Sequence, residues 1–216
     1  MARMARLYVP NTAQLVLVRG INQSSVFFNP QDYEQWHKIL RSIMPNHPVA
    51  IHAYALLDHA IYLLVTAEND QALGKLMQDL GRRYVRYINN QYDRTGTLWE
   101  GRYRTAYIQD SYVINAYLWL DSMSSYSSRT HHEGLTTVGF IADHAQYWIL
   151  GNTPFDRQLQ YRQRLQQGLN SKAINELSHA VNTGWALGDA NFLSHAARIS
   201  GRRVTQATRG RPKKSV

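Results

Sequence analysis

Two apolar segments separated by only two residues constrain the fold more than any other feature of this chain. Residues 49–57, VAIHAYALL, and residues 60–66, AIYLLVT, are rich in the apolar, β-branched and aromatic side chains that favour strands. Only Asp58 and His59 lie between them. The two segments are therefore predicted to pair as an antiparallel hairpin with a tight turn.

The segments around this hairpin follow the order of a split βαβ sheet. A strand is predicted from residue 14, in QLVLVRG, and another at 103–109. Helical spacing of apolar residues predicts helices at 29–43, 70–91 and 111–123. The predicted fold class is α+β, a ferredoxin-like (split βαβ) antiparallel sheet with helices on one face, plus a C-terminal helical extension and a basic tail.

The chain is predicted to divide into three parts. Residues 1–123 contain the sheet and its helices and form the core domain. Residues 124–200 start with the polar segment SSYSSRTHHEGLTT and continue as shorter helices, which form a helical extension. Residues 201–216, GRRVTQATRGRPKKSV, contain six basic residues and no acidic residue, and form a basic tail.

The net charge of +9 indicates a polyanionic partner, because clustered lysines and arginines gain affinity for phosphates by releasing counterions. No segment approaches the roughly 20 apolar residues of a membrane span. No N-terminal segment has the pattern of a secretion signal. Without cysteine the chain has neither disulfides nor thiolate metal ligands. These features predict a soluble, cytoplasmic protein without membrane contact.

Several segments resemble the single-strand transposases of the HUH tyrosine type, specifically the REP-associated tyrosine transposases and their relatives. These segments are VRGINQSSVFF, DYEQWHKIL, IHAYALLDHAIYLLVT, LGRRYVRYINNQYDRTGTLWEGRYRTAYI, GWALGDANF and GRRV…RGRPKK. The resemblance covers residues 5–120 and returns at 180–214. GTLWEGRYR and GRRV…GRP are its most specific parts. It implies an HUH-fold core domain and an affinity for DNA.

The resemblance also implies where an active site would lie. In the family, a strand reading M-P-N-H-x-H-L-L-V carries two histidines that hold a divalent metal, and a tyrosine on the following helix attacks the scissile phosphate. The ungapped match places Ala60 and Tyr62 at the histidine positions and Trp119 at the tyrosine position. These degenerate positions predict a protein that is not an enzyme and uses neither metal nor cofactor. Tyr117 and Tyr126 lie near the nucleophile position, and packing is the favoured interpretation of both.

Two groups of histidines are alternative metal ligands. His59 would have to recruit His52, which strand alternation opposes because His52 lies on the partner strand and His59 in the turn. His59 is therefore predicted to be a turn residue. His131 and His132, followed by Glu133, lack further ligands at metal spacing, so a solvated loop is predicted there.

The predicted DNA-binding residues fall in the core and in the tail. RGRPKK, residues 209–214, resembles an AT-hook, whose narrow stem lies in the minor groove of A·T-rich DNA. In the core, arginines of the second helix and of WEGRYR would contact phosphates, and two aromatic residues of the same segment would stack on an unpaired base. The full set is Arg82, Arg83, Arg86, Trp99, Arg102, Tyr103, Arg104, Arg202, Arg203, Arg209, Gly210, Arg211, Pro212, Lys213 and Lys214.

The functional hypothesis is a DNA-binding protein derived from a transposase, catalytically inactive and acting as a sequence-specific transcription regulator. Its expected partners are duplex or hairpin DNA, with A·T-rich minor grooves as a candidate target, and a second copy of the chain in a homodimer. Such a protein would be nucleoid-associated. The alternatives are an active, metal-dependent single-strand DNA transposase or nuclease with relocated residues, or an RNA-binding module.

Overall fold

The structure, a computed structural model, describes residues 7–206, which form a four-stranded antiparallel sheet and eight α-helices. The strands are β1 (Gln14–Arg19), β2 (Val49–Leu57), β3 (Ala60–Ala67) and β4 (Arg104–Tyr107). The helices are α1 (Pro30–Ile43), α2 (Ala72–Gln91), α3 (Val113–Met123), α4 (Arg129–His132), α5 (Ala145–Trp148), α6 (Pro154–Gln167), α7 (Ser171–Thr183) and α8 (Ala190–Ser200).

The strand order β2-β3-β1-β4 confirms the split βαβ fold, with β1 paired to β3 and β4. The predicted hairpin is confirmed as well, since Leu57 lies opposite Ala60 and the chain turns at residues 58–59. One irregularity interrupts the hairpin between Ile51 and Ala53, where β2 contains an additional residue. Because β2 is the first strand in this order, the hairpin forms the edge of the sheet that is farther from β4.

Helices α1 and α2 cover one face of the sheet, as the sequence predicts. Helix α1 begins with a capping box in which Asn29 and Asp32 each accept a hydrogen bond from the other residue's backbone N–H. Its Trp36 is fully buried and packs with the α2 residue Tyr84 and the strand residue Leu63 in one apolar cluster. This cluster is the larger part of the core.

Helix α3 lies on the opposite face, so the prediction that all helices share one face is wrong for this helix. Leu17 and Leu64 form a second apolar cluster with Tyr117 of α3, and the extension adds Tyr161 and Leu177. Helix α3 is buried on most of its circumference because the sheet covers one side and the extension covers the other. The extension thus packs directly on the core, and the division at residues 123 and 124 stays a prediction.

Helix α8 packs at the edge of the sheet, where its Ala196 belongs to one apolar cluster with Leu7, Tyr107 and Val204. The AT-hook-like segment 209–214 lies outside the described residues. Between residues 7 and 206, no helix combines the length and apolar character needed to cross a membrane.

Candidate nucleic-acid interface

The three positions that the resemblance marks as catalytic come together on the second face of the sheet. Ala60 and Tyr62 are two residues apart on β3 and share that face, and Trp119 reaches it from α3. The rings of Tyr62 and Trp119 meet edge to face, with centroids 5.6 Å apart. The methyl group of Ala60 offers no ligand atom to a divalent metal, and the indole of Trp119 has no hydroxyl that could attack a phosphate. An aromatic pair therefore occupies two of the three positions that the resemblance marks as catalytic.

The two tyrosines near the nucleophile position are held in packed surroundings. Tyr117 is fully buried, and its hydroxyl oxygen accepts a hydrogen bond of 2.9 Å from the backbone N–H of His144. Burial raises the pKa of the Tyr117 phenol well above its usual range, which disfavours the phenolate. The ring of Tyr126 stacks on Tyr33 at 3.7 Å and remains partly exposed.

His52 and His59 lie at opposite ends of the hairpin, so they do not form a ligand pair. His59 is an exposed turn residue, as the sequence predicts. His52 is buried beside the irregularity in β2, where its ring nitrogens contact the Ala142 carbonyl oxygen at 2.6 Å and the Thr66 hydroxyl at 2.8 Å. Burial lowers the pKa of the His52 imidazole to about 4, so the ring is neutral at physiological pH.

The predicted solvated loop at His131 and His132 is wrong, because His132 is fully buried at the end of α4. Its Nδ1 lies 2.7 Å from a carboxylate oxygen of Asp121, and its Nε2 lies 3.0 Å from the His52 carbonyl oxygen. Glu133 pairs with Arg129 across one helical turn. No local pattern in the sequence indicated that this histidine would contact a buried carboxylate on α3.

Among the described residues, one cluster of three has metal-ligand spacing, and its members are His131, His132 and Asp143. Both ring nitrogens of His132 already contact oxygen atoms. Nδ1 of His131 accepts the backbone N–H of Val138 at 3.1 Å, which leaves the hydrogen of the neutral ring on Nε2. Oxygen atoms at hydrogen-bond distance block both ring nitrogens of His132, and Nδ1 of His131 already accepts a hydrogen bond, so the cluster does not fit a metal.

A cationic groove of about 770 Å³ runs between the exposed sides of α1 and α2. Its basic residues are Lys38, Arg82, Arg83 and Arg86. Asp79 is the one carboxylate that lines it among residues 7–206. It accepts a hydrogen bond of 2.8 Å from Arg83 Nε and lies 3.4 Å from His47 Nε2. The hydrogen bond from Arg83 is the main cause of the lowered pKa of Asp79. Four basic residues against one carboxylate give the groove a positive field that suits phosphates.

Trp99 and Tyr103 line a second groove, of about 550 Å³, on the other side of α2. Two backbone hydrogen bonds hold this segment against the end of β1, from the Ile21 N–H to the Leu98 carbonyl and from the Glu100 N–H to the Arg19 carbonyl. The structure therefore places the predicted aromatic pair together, but on a different side of α2 from Arg82, Arg83 and Arg86.

A small cationic notch of about 90 Å³ continues from the second groove and shares Arg102 with it. Arg19 and Arg104 also line the notch, and Glu100 is its one acidic residue. Asn182 of α7 fixes both arginines, since its side-chain oxygen accepts from Arg19 at 2.5 Å and its carbonyl from Arg104 at 3.1 Å.

The remaining predicted residues lie elsewhere. Arg202 and Arg203 follow α8 beside Val204 and line neither groove. The six tail residues Arg209 to Lys214 lie outside the described residues. Sequence reasoning missed Lys38 and Arg19, although the predicted packing of the first two helices on one face would have placed Lys38 beside the arginines of α2.

Comparisons with known proteins agree with this fold. A family model described as "Transposase IS200 like" matches residues 11–119, which is half of the chain. A search of curated proteins found no match. One similar solved structure, a REP-associated tyrosine transposase bound to a REP hairpin, has 14% sequence identity and a TM-score of 0.50. The match covers 68% of this chain and 96% of that chain.

A putative transposase from Deinococcus radiodurans is also similar, with 14% identity, a TM-score of 0.39, and coverage of 56% of this chain and 97% of that chain. At 14% identity, the match to the REP-associated tyrosine transposase supports the fold alone. The family model matches the segment that contains all four strands of the sheet, and this match assigns the chain to a family. The chain therefore belongs to the IS200-like transposase family.

Proposed function

We propose that this protein binds DNA without cleaving it and acts as a sequence-specific transcription regulator derived from a transposase. The observation that carries the DNA-binding part is the cationic groove between α1 and α2. Its arginines are exposed on one helix, and its single carboxylate is already paired with Arg83. Such a surface attracts phosphates and leaves the choice of sequence to other contacts.

The loss of strand cleavage is proposed from the second face of the sheet. Ala60 and Tyr62 replace the pair of metal-binding histidines, and Trp119 replaces the nucleophile. Without a bound metal the scissile phosphate loses its Lewis acid, and without a phenol at this position no covalent link to DNA forms. The buried hydroxyl of Tyr117 offers no substitute that a phosphate can approach.

Three finer features belong to the same proposal. The protein acts as a homodimer, which doubles the basic charge and favours repeated or palindromic sites. Residues 209–214 bind the minor groove of A·T-rich DNA. The protein resides on the nucleoid, because DNA is its main partner.

Replacing Arg82, Arg83 and Arg86 together by glutamine is expected to weaken binding to duplex or hairpin DNA by roughly ten- to a hundredfold near physiological salt. The slope of log K against log salt concentration should become shallower by about 2.7, since each lost phosphate contact contributes about 0.9. Fluorescence anisotropy with a labelled duplex, repeated over a series of salt concentrations, measures both quantities.

A matched control replaces Arg162, Arg164 and Arg198 by glutamine. These exposed residues of α6 and α8 change the net charge equally but lie outside the groove. An equal loss of DNA affinity in both variants would contradict the proposal that the groove between α1 and α2 binds DNA. Tighter binding of the wild-type protein to an RNA hairpin than to the DNA of the same sequence would favour the RNA-binding alternative.

Crosslinking and sequencing of bound chromosomal DNA in the native host is expected to give discrete peaks near promoters. In parallel, the purified protein should form no covalent adduct with labelled single-stranded or hairpin DNA in the presence of Mg²⁺ or Mn²⁺, because the nucleophile position holds Trp119. A metal-dependent adduct that disappears in Tyr117→Phe or Tyr126→Phe would overturn the inactive assignment and identify a relocated active site.

A further inference from the structure

A histidine contacts the single carboxylate of the cationic groove between α1 and α2. His47 lies just before β2, and its Nε2 is 3.4 Å from one carboxylate oxygen of Asp79. The other oxygen of Asp79 accepts the hydrogen bond of 2.8 Å from Arg83 Nε. Asp79 and Arg83 both line the groove. One carboxylate therefore connects an imidazole to an arginine of the proposed phosphate-binding surface.

The three side chains differ in their access to water. The exposed fraction is 12% for the His47 side chain, 24% for Asp79 and 54% for Arg83. Because His47 and Asp79 are largely shielded from solvent, a charge on the imidazole is screened less from the carboxylate than at an open surface. More than half of the Arg83 side chain is open to solvent, so a phosphate can approach its guanidinium.

The elements around His47 contribute other ionisable groups, which respond differently to pH. The hydrogen bond from Arg83 is the main cause of the lowered pKa of Asp79, so this carboxylate is ionised at neutral and mildly acidic pH. In α1, burial lowers the pKa of the His37 imidazole to about 4, so that ring stays neutral over the same range. The charged residues on the elements that flank His47 are Arg41 in the last turn of α1, Glu68, whose N–H donates to the Pro48 carbonyl, and Asp79 and Arg83 of α2.

The net charge of the trio depends on one proton. With a neutral imidazole, the charges of Asp79 and Arg83 cancel. A protonated imidazole raises the sum to one positive charge and gives Asp79 a second cationic partner. Imidazole is the side chain that ordinarily changes its charge between pH 5 and 8. Asp79 then holds Arg83 less firmly, and the guanidinium becomes available to a phosphate.

We propose that protonation of His47 switches the cationic groove to a higher affinity for DNA, because it draws Asp79 away from Arg83 and releases this arginine to a phosphate. The inference rests on the proposed DNA-binding function and adds its regulation by pH. The protonated imidazole favours the bound state, so affinity is high in mildly acidic solution and falls as the pH rises through the imidazole titration. By linkage, bound DNA favours proton uptake by the same imidazole.

The test compares DNA affinity at about pH 8 and about pH 5.5, on either side of an ordinary imidazole titration. The probe is a labelled DNA hairpin with a mixed-sequence stem, measured by fluorescence anisotropy over a series of salt concentrations. His47→Gln removes the titrating ring and keeps an amide that can donate to Asp79. Arg83→Gln removes the arginine that the switch releases. His59→Gln is the matched control, since His59 is an exposed histidine outside the groove.

At about 0.1 M salt, the wild-type protein is expected to bind the hairpin about five- to tenfold more tightly at the lower pH, which is the contribution of one additional phosphate contact. The slope of log K against log salt concentration should steepen by about 0.9 for the same reason. His47→Gln and Arg83→Gln should lose most of both changes, whereas His59→Gln should retain them.

An NMR titration of the His47 ring in the wild-type protein is a second measurement, which needs no variant. Its midpoint should move to higher pH by about 0.7–1 unit when the hairpin is bound, the logarithm of the same five- to tenfold change. An unmoved midpoint, a wild-type pH dependence in His47→Gln, or an equal loss in His59→Gln would overturn the switch and leave the proposed function standing. Failure of the wild-type protein to bind the hairpin at either pH would instead reject the proposed function.

Discussion

Replacing Asp121 by alanine is expected to lower the free energy of unfolding by about 3–5 kcal/mol, because it leaves three buried polar groups without their partner at a cost of about 1–3 kcal/mol each. Asp121 is 1% exposed. One carboxylate oxygen accepts from Ser128 Oγ at 2.5 Å, and the other accepts from Tyr161 Oη at 2.5 Å and lies 2.7 Å from His132 Nδ1. Alanine leaves all three groups without this acceptor in an apolar environment.

Chemical denaturation followed by circular dichroism measures this loss. Asp79→Ala is the matched control, because its carboxylate contacts Arg83 and His47 at a more exposed site, where ion pairs contribute at most about 1 kcal/mol. A loss below that of the control would show that the Asp121 network does not stabilise the fold. Ser128→Ala removes a single donor, so its loss of unfolding free energy should lie between those of Asp79→Ala and Asp121→Ala.

The Asp121 network also explains why the extension is not an independent appendage. Asp121 belongs to α3, the helix that carries Trp119, whereas Ser128, His132 and Tyr161 belong to the segment that follows. The Asp121 carboxylate, which these three residues share, holds the extension against the side of α3 that faces away from the sheet. The extension therefore fixes the orientation of the helix that faces Tyr62 across the second face of the sheet.

The sequence predicted the elements whose signals are local. The hairpin follows from two strand-forming segments around a two-residue turn, and α1 follows from Asn29, Pro30 and apolar residues at helical spacing. The position of α3 was missed. Its buried residues surround most of the helix, a pattern that indicates cover on two sides and not a one-sided surface helix.

In the candidate sites, too, only local features were predictable. The resemblance marked Ala60, Tyr62 and Trp119 as the catalytic positions, and strand alternation correctly placed the first two on one face of the sheet. The burial of His132 was not predictable, because its carboxylate partner lies 11 residues away on a different element. The grooves beside α2 depend on the packing of separate segments, which residue spacing alone does not give. The residues that were predicted are Arg82, Arg83 and Arg86 of the first groove and Trp99, Arg102 and Tyr103 of the second.

Replacing Gly20 by alanine is expected to destabilise the protein by about 3 kcal/mol, at the upper end of the cost of overpacking. A Cβ at this position would lie 2.1 Å from the Ser24 carbonyl oxygen and 2.9 Å from a methyl carbon of Val26. The φ of Gly20 is −64°, a value open to any residue, so the cost arises from this contact and not from the backbone conformation. The Ser24 oxygen belongs to the backbone, so relieving the contact requires the 20–26 turn to move.

That movement links the stability of this turn to the second groove. The Gly20 N–H donates to the His59 carbonyl at 2.9 Å, and Gly20 forms a β-bridge with Trp99. A displaced turn would shift Trp99, one of the predicted DNA-binding residues, so DNA binding should fall together with stability in Gly20→Ala. Gly139→Ala is the control, since nothing lies within 4 Å of its added Cβ. Thermal melting and DNA binding, measured on both variants, test this link. Unchanged stability in Gly20→Ala would mean that the turn adapts, and normal stability with lost binding would mean that Gly20 acts on the groove alone.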